Sequence, residues 1–337
     1  MPGAGAGAVP AYAPRVAPRV SVLVPARNEA RHIERCVRSI LAQEVEGGLE
    51  LLVVDGLSED GTAALASAAG ARVVSNPERI IPAALNRGLE EAGGEVILRF
   101  DAHAEMPAGY VRACLMALAE EEAANVGGWR EARGEGPWGH AVAGALRSRL
   151  GVGNARIWRR PAPGEGRRDV DTVPLGCFPA ERLRAAGGWR ADLRANEDFE
   201  LNDRLRAAGG RVVFDPAIWS VYHPRESLPA VARQYWGYGT WKAAVLLERP
   251  SSLRPRQLAP ALLLAGAAAA LLPGRSGPPA RALLGLYALL LAGAGMRAGR
   301  DWRVPAVIAT MHAAWGAGLL GGLAARGLRR APVRRGR

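Results

Sequence analysis

Val20-Ser21-Val22-Leu23-Val24-Pro25-Ala26-Arg27-Asn28-Glu29 is the stretch on which the fold turns. Its first five residues form a β-branched, apolar run that Pro25 stops, as in a buried strand with a defined end. Asn28 is placed to cap a helix whose apolar positions Ile33, Val37, Ile40 and Leu41 recur at helical spacing. The alternation then repeats. Residues 51–54 read as a second strand ending at Asp55, and Asp60-Gly61-Thr62 opens a helix. Residues 71–74 give a third strand, 82–92 a helix and 95–100 a fourth strand. Continuous apolar strands separated by helices predict a parallel sheet covered on both faces, an α/β fold. Ligands in such sheets sit beyond the carboxyl ends of the strands, where Asp55 and Asp101 fall.

The chain after residue 101 is less regular. Residues 126–131 and 171–177 read as strands, 196–208 as a helix closed by Gly209-Gly210, and 211–214 as a returning strand. Residues 228–247 form an amphipathic stretch rich in Trp and Tyr, suited to a membrane interface. Three uncharged runs follow at 257–274, 282–296 and 304–325. A span needs about 17–25 residues, so the first and third qualify and the middle one is marginal. Two full crossings would keep the arginine-rich C-terminus on the side of the catalytic domain, as the positive-inside rule prefers.

The charge follows the same division. The net charge is +12, yet the residues through Pro250 carry 31 basic and 31 acidic side chains, and the remainder carries 13 Arg against Asp301 alone. A nucleic-acid-binding protein concentrates its cations on the folded binding domain, so nucleic acid is not the expected partner. The cations here flank apolar segments, as in a membrane protein. Cys36, Cys114 and Cys177 have no zinc-site spacing and read as buried or idle thiols. Residues 1–18, rich in Ala, Gly and Pro, read as a flexible tail.

Asp101-Ala102-His103 directly follows a buried strand. An acid and an imidazole together can hold a divalent cation, and a diphosphate leaving group needs one because charge builds on its oxygens. Four further motifs accompany it: Pro25-Ala26-Arg27-Asn28-Glu29 after the first strand, Asp55-Gly56-Leu57-Ser58-Glu59-Asp60-Gly61-Thr62 after the second, Asn86-Arg87-Gly88 before the fourth, and Asn196-Glu197-Asp198-Phe199-Glu200-Leu201 downstream. In this order they resemble the motifs of family 2 glycosyltransferases, over residues 19–249. The branch that makes succinoglycan is the nearer likeness, through Asp101-Ala102-His103, Gly151-Val152-Gly153-Asn154-Ala155, Pro174-Leu175-Gly176-Cys177 and Gln234-Tyr235-Trp236-Gly237-Tyr238-Gly239.

The resemblance implies a GT-A domain, the Rossmann-like fold of nucleotide-diphospho-sugar transferases, over 19–226. It would be followed by an interface helix at 227–250 and transmembrane helices with a basic tail at 251–337. It implies that Pro25, Arg27 and Glu29 border the uridine of a UDP-sugar, that Asp55 accepts from the uracil, and that Asn86 belongs to the nucleotide-sugar site. Asp101 would lie by the ribose and, with His103 in place of a second acid, hold Mn²⁺ or Mg²⁺. Asp198 matches the general base, which helps because an acceptor hydroxyl has a pKa far above neutral. Glu197 would point elsewhere, as an acceptor contact or surface charge. Gln234, Trp236 and Tyr238 would meet a lipid-linked saccharide acceptor or the membrane interface. Leu57 departs from the family, standing where a small residue is usual, and the segment at 234–241 lacks the Arg-Trp ending of processive members.

The expected activity is therefore inverting, metal-dependent transfer of a hexose, glucose from UDP-glucose, in exopolysaccharide assembly, with the catalytic domain on the cytoplasmic side of the inner membrane. Transfer to a bare polyprenyl phosphate is the alternative, and a non-catalytic membrane scaffold a more distant one. A nucleotidyltransferase needs a Gly-rich loop after the first strand, which Pro25–Glu29 does not provide. His32, His140 and His312 read as solvated or packed histidines, and Gly127-Gly128 and Gly187-Gly188 as turns.

Overall fold

The computed structural model of the protein describes residues 19–153, 155–193, 196–248, 257–271 and 277–330. The tail at 1–18, Asn154 and the arginines beyond residue 330 lie outside the described residues. Four strands, β1 (Val20–Ala26), β2 (Leu49–Asp55), β3 (Arg72–Ser75) and β4 (Val96–Arg99), alternate with helices α1 (Ile33–Leu41), α2 (Thr62–Ala68) and α3 (Ile81–Glu91). β1 pairs in parallel with β2 on one side and β4 on the other, and β3 extends the sheet beyond β2. This half matches the parallel α/β sheet expected from the apolar runs. Register puts Ala26 opposite Asp55 and Leu23 opposite Arg99, so the loops after β1, β2 and β4 emerge together.

The second half of the sheet is mixed. After β4 come β5 (Ala104–Glu105), α4 (Tyr110–Glu121), β6 (Asn125–Ala132), α5 (Gly136–Arg147), the short α6 (Arg149–Val152) and a 3₁₀ turn at Arg156–Trp158. Then follow β7 (Arg168–Asp169), β8 (Cys177–Pro179), α7 (Ala180–Ala185), α8 (Glu197–Ala207) and β9 (Val212–Tyr222). The nine strands run β3-β2-β1-β4-β8-β6-β9-β5, with β7 on β9. β8 lies antiparallel between β4 and β6. Residues 171–176 are therefore not the strand expected at 171–177; only Cys177 begins one, because β8 is fixed by two non-local partners. Gly127-Gly128 is likewise no turn. It lies in β6 at a register shift, where a Cβ on Gly128 would collide with the Ile218 carbonyl of β9. α8 ends as expected: Gly209, at φ +82°, donates to the Arg206 carbonyl and Gly210 to that of Leu205.

Apolar clusters cover both faces of the sheet. Val22, Val24, Leu98 and Phe100 pack with α1 and α4, and Leu23, Leu52 and Ile97 pack with α3, α7 and α8. The three cysteines are free and buried.

The helical part comprises α9 (Leu228–Glu248), α10 (Ala259–Ala270), α11 (Gly277–Arg297) and α12 (Arg303–Arg330). α9 packs along α12 through glycines: a Cβ on Gly318 would strike the Trp236 carbonyl, and one on Gly239 the Trp315 carbonyl. α9 is thus half-covered by protein along this face. The first apolar run yields only the 12-residue α10, too short to span, whereas the middle run yields the 21-residue α11. Arg281 interrupts the uncharged run but not the helix, which begins four residues earlier and carries that charge in its first turns. Among the described residues, α11 and residues 303–326 of α12 are the two helices long and apolar enough to cross a membrane, and only 11% of the apolar stretch of α11 is buried. They pair in opposite directions, Gly295 meeting Pro305 and the Tyr287 hydroxyl meeting His312 Nδ1 at 2.9 Å. Their connecting turn rests on α5, with Trp302 edge-on to Trp138.

Candidate active site

Three loops meet at the carboxyl ends of β1, β2 and β4. Asp55, buried at the end of β2, accepts from the Ser58 amide (2.9 Å) and hydroxyl (2.5 Å), closing an Asx-type turn. Asn28 does not cap α1. At φ +54° its Oδ1 accepts from the Glu59 amide at 3.0 Å, and its own amide donates to Ser58 Oγ at 2.9 Å, so the side chain ties the first loop to the second. The Glu29 amide donates to Thr62 Oγ1 at 2.8 Å, and the Gly56 amide to the Ala26 carbonyl at 2.8 Å. Pro25 is half-buried near the end of β1, and Arg27 is exposed beside Gly56. Leu57 adopts φ +56°, which suits glycine better than leucine and accounts for the small residue usual there.

Beyond β4 the acids converge. Arg99, buried as the last residue of β4, faces Asp101 Oδ1 at 3.5 Å and Glu197 Oε1 at 3.1 Å, and its Nη1 pairs with Asp198 Oδ2. Glu197 and Asp198 open α8, where carboxylates also favour the helix dipole. Asn196 adopts φ +67° just before them, a conformation asparagine tolerates well. The expectation that Glu197 points away is corrected: it is buried and shares Arg99 with Asp198. Arg130 of β6 faces Asp101 Oδ2 at 3.3 Å and lies over the rings of Trp158 and Tyr222. Burial pushes the Asp101 carboxyl up, but Arg130, Arg99 and His103 outweigh it and hold it below the usual aspartate range.

A second group adjoins this one. His103 Nδ1 approaches Glu29 Oε1 at 3.4 Å, Arg225 lies 3.3 Å from the same oxygen, and the His103 ring meets Tyr222 edge-on. Burial raises the Glu29 carboxyl, yet His103, Arg225 and His32 bring it below its ordinary value. His223 Nε2 contacts Glu105 Oε1 at 2.6 Å and stacks on His32 at 5.2 Å. His32 is therefore packed next to the site rather than on a free surface.

The structure thus brings together Glu29, Asp101, His103, Glu197 and Asp198, with Asp55 on a loop tied to that of Glu29. It does not bring Asn86 to them. Both ends of the Asn86 amide are spent on the Trp189 backbone, donating to its carbonyl at 2.6 Å and accepting from its amide at 2.8 Å. Gln234 donates to the Tyr222 hydroxyl at 3.4 Å and to that of Tyr238 at 3.1 Å, placing Gln234 and Tyr238 on the site side of α9. Trp236 instead faces α12, its ring near Gly321. Arg99, Arg130, Trp158 and Tyr222 escaped the sequence reading. Arg99 left one signal, a charge inside an otherwise apolar strand immediately before Asp101.

Among the described residues no group of three or more His, Cys, Asp or Glu side chains gathers as a metal cage. Asp101 and His103 nevertheless offer one carboxylate and one imidazole, the partial ligand set that substrate phosphates complete. The arginine contacts to Asp101, at 3.5 and 3.3 Å, exceed the roughly 2.7–2.9 Å of a strong charge-assisted bond, leaving its lone pairs open. With Glu29 at Nδ1, His103 keeps Nε2 for a ligand, the carboxylate–histidine arrangement that orients metal-binding rings. These residues fit a divalent cation.

Residues 21–171 match the sequence pattern of Glycosyl transferase family 2. The succinoglycan biosynthesis protein ExoA of Rhizobium meliloti (strain 1021) is 30% identical over 313 residues, 88% of this chain and 92% of that protein. A Methanococcus voltae protein, dolichyl N-acetyl-alpha-D-glucosaminyl phosphate 3-beta-D-2,3-diacetamido-2,3-dideoxy-beta-D-glucuronosyltransferase, is 24% identical over 240 residues, 67% of this chain and 73% of that one. Among solved structures, the mannosyltransferase PcManGT from Pyrobaculum calidifontis, in complex with GDP-Man and Mn²⁺, shares the fold. Its TM-score is 0.62 at 24% identity, covering 91% of this chain and 87% of that one. With the acids gathered beyond the strands of a GT-A-like sheet, a matching family pattern and a 30% identical relative aligned over most of both chains, the chain belongs to the family 2 glycosyltransferases.

Proposed function

We propose that this glycosyltransferase moves a hexose, glucose from UDP-glucose, with inversion onto a lipid-linked saccharide in exopolysaccharide assembly. The observation that carries it is the meeting of Asp101, Glu197 and Asp198 on Arg99 at the strand ends. Asp198 supplies the base. Its Oδ2 pairs with Arg99, while Oδ1 has no partner among the described residues and is open to take a proton from the attacking hydroxyl. Such help is typically worth about 10²–10⁴-fold. In-line attack from the Asp198 side, opposite the departing nucleotide, turns an α-linked donor into a β-linked product.

Pro25, Arg27, Glu29 and Asp55 form the donor side, with Asp55 pre-set by Ser58 to accept from the uracil ring. Arg130 stands ready to offset charge on the diphosphate. Asp101 and His103 are the residues that would hold a divalent cation, whose chemistry is to neutralise the oxygens of the leaving group. Gln234 and Tyr238 line the acceptor side. The named activities of the relatives support lipid-borne acceptors, since the Methanococcus voltae protein is described as acting on a dolichyl-linked sugar phosphate.

We place the catalytic domain at residues 19–226 and the membrane-associated part at 227–337, the two long helices crossing the inner membrane. The catalytic domain faces the cytoplasm, where nucleotide sugars reside. Among the described residues the flanking arginines are nearly equal in number, with Arg281, Arg326, Arg329 and Arg330 at one end of the α11–α12 pair and Arg297, Arg300 and Arg303 at the other. Orientation therefore rests on the donor rather than on those charges. The test is nucleotide release by the purified enzyme in detergent, screening sugar nucleotides with Mn²⁺ or Mg²⁺ and extracted lipid-linked intermediates. UDP-glucose is expected to turn over with lipid-linked saccharide and not with bare polyprenyl phosphate. Turnover of GDP-mannose instead would replace the donor, and turnover of none by folded protein would defeat the proposal.

A further inference from the structure

Two clefts next to the acidic centre have no part in the chemistry above. The first, about 430 Å³, is lined by Arg147, Arg149, Arg156, Arg159, Arg160 and Arg168, with Glu165 as its single carboxylate. Glu165 is already shared by Arg156, at 2.9 Å, and Arg168. No ion pair engages Arg149, Arg159 or Arg160 among the described residues. Six guanidinium groups facing one carboxylate repel one another, and forked donors of this kind match phosphate oxygens. The second cleft, about 440 Å³, adjoins the first through Arg149 and runs between the catalytic domain and the helices. Its walls are apolar and aromatic, including Trp158, Tyr235, Leu263, Met311 and Trp315.

Trp158 links these clefts to the centre. It stands between Arg156 and Arg159 in sequence, its ring meets that of Tyr222 at 4.9 Å, and Arg130 lies over both rings while facing Asp101. We propose that the two clefts form one acceptor site, in which the arginines bind the phosphates of a lipid diphosphate and the apolar cleft takes the first part of its hydrocarbon chain. A saccharide carried on that diphosphate then starts beside the Trp158–Tyr222 wall, one side chain from Asp101. The inference rests on the lipid-linked acceptor proposed above and adds where the carrier lies. An anionic head beside a long apolar chain is what fits a positive cleft continuous with a greasy one.

The test uses the full chain in nanodiscs of neutral lipid, with a long-chain polyprenyl diphosphate as the probe. Two variants are compared: the triple Arg149→Gln, Arg159→Gln, Arg160→Gln, and Ala259→Trp, which fills the apolar cleft from the exposed start of α10. The triple variant is expected to weaken polyprenyl diphosphate binding about tenfold or more, the size of one lost charge-assisted bond, with UDP affinity unchanged. Ala259→Trp should weaken the lipid diphosphate and leave inorganic diphosphate unaffected. Unchanged lipid affinity in both variants overturns the proposal. So does equal binding of phosphatidylglycerol, which would mean a surface for anionic membranes, or of inorganic diphosphate, which would mean a free-phosphate site. Transfer by Asp198→Asn is measured in parallel. If that variant still transfers sugar, the catalytic proposal fails on its own, whatever the binding data show.

Discussion

Arg99 touches Asp101, Glu197 and Asp198 at once, from a strand end where it is almost wholly buried. Taking away a buried cation leaves its carboxylates facing each other in low dielectric. Arg99→Met should therefore cost about 3–5 kcal/mol, read as a lower denaturant midpoint; a loss below about 1 kcal/mol would show the cluster to be solvated. The histidine beside the site sets a pH dependence. Burial, reinforced by His223, lowers His32 from 6.5 to about 4. A base depressed in this way favours the neutral form in the folded state. Its contribution is complete above about pH 6.5 and is lost as pH falls toward 4. Asp101 and Glu29, held below their ordinary 3.8 and 4.5, extend the loss into more acidic solution. Thermal midpoints should fall in two stages, and His32→Asn should remove the first while keeping the second. A profile that is flat between neutrality and pH 4 would contradict this assignment. None of this pairing shows in the sequence, because Arg99 and Asp198 lie about a hundred residues apart and only the folded sheet brings α8 to β4. Asp55, Asp101 and Asp198 were visible as motif residues; the arginine joining two of them was not.

Elements were legible where burial is continuous. β1, β2 and β4 and the helices between the first four strands follow from apolar runs with clear stops, since a strand covered on both faces carries few polar residues to blur it, whereas the edge strand β3 is only partly buried. The outer half of the sheet was harder, because β8 owes its position to β4 and β6 rather than to its own residues. The helices near the C-terminus failed in an instructive way. Counting uncharged residues shortened α11 at Arg281 and lengthened α10. A long arginine side chain near a helix end can reach the interface, so it does not end a span. α11 leaves Leu289 71% exposed near its middle. If this face meets lipid, Leu289→Arg costs about 2.5–3.5 kcal/mol of insertion and should drive the protein out of the membrane fraction after an alkaline wash. On a water-facing helix the same change would be nearly neutral, so unchanged extraction would contradict a spanning α11.

At the scale of the whole molecule, the sheet delivers three loops to one place, α8 supplies two acids from the far half of the chain, and α9 closes the side nearest the candidate membrane helices. From one face of α9, Gln234 donates to the hydroxyls of Tyr222 and Tyr238, while another face packs through glycine on α12. The α9–α12 contact thus seats the proposed acceptor side of the centre against the candidate membrane helices, which suits the proposed draw of one substrate from water and the other from a bilayer. On the proposed mechanism, sugar transfer depends on a single proton acceptor, Asp198, and binding of the nucleotide does not need it. The most direct measurement is turnover and UDP affinity for Asp198→Asn in the same detergent preparation. Turnover should drop by about 10²–10⁴-fold with UDP affinity within a few-fold of the unchanged enzyme; undiminished transfer would show that another group deprotonates the acceptor.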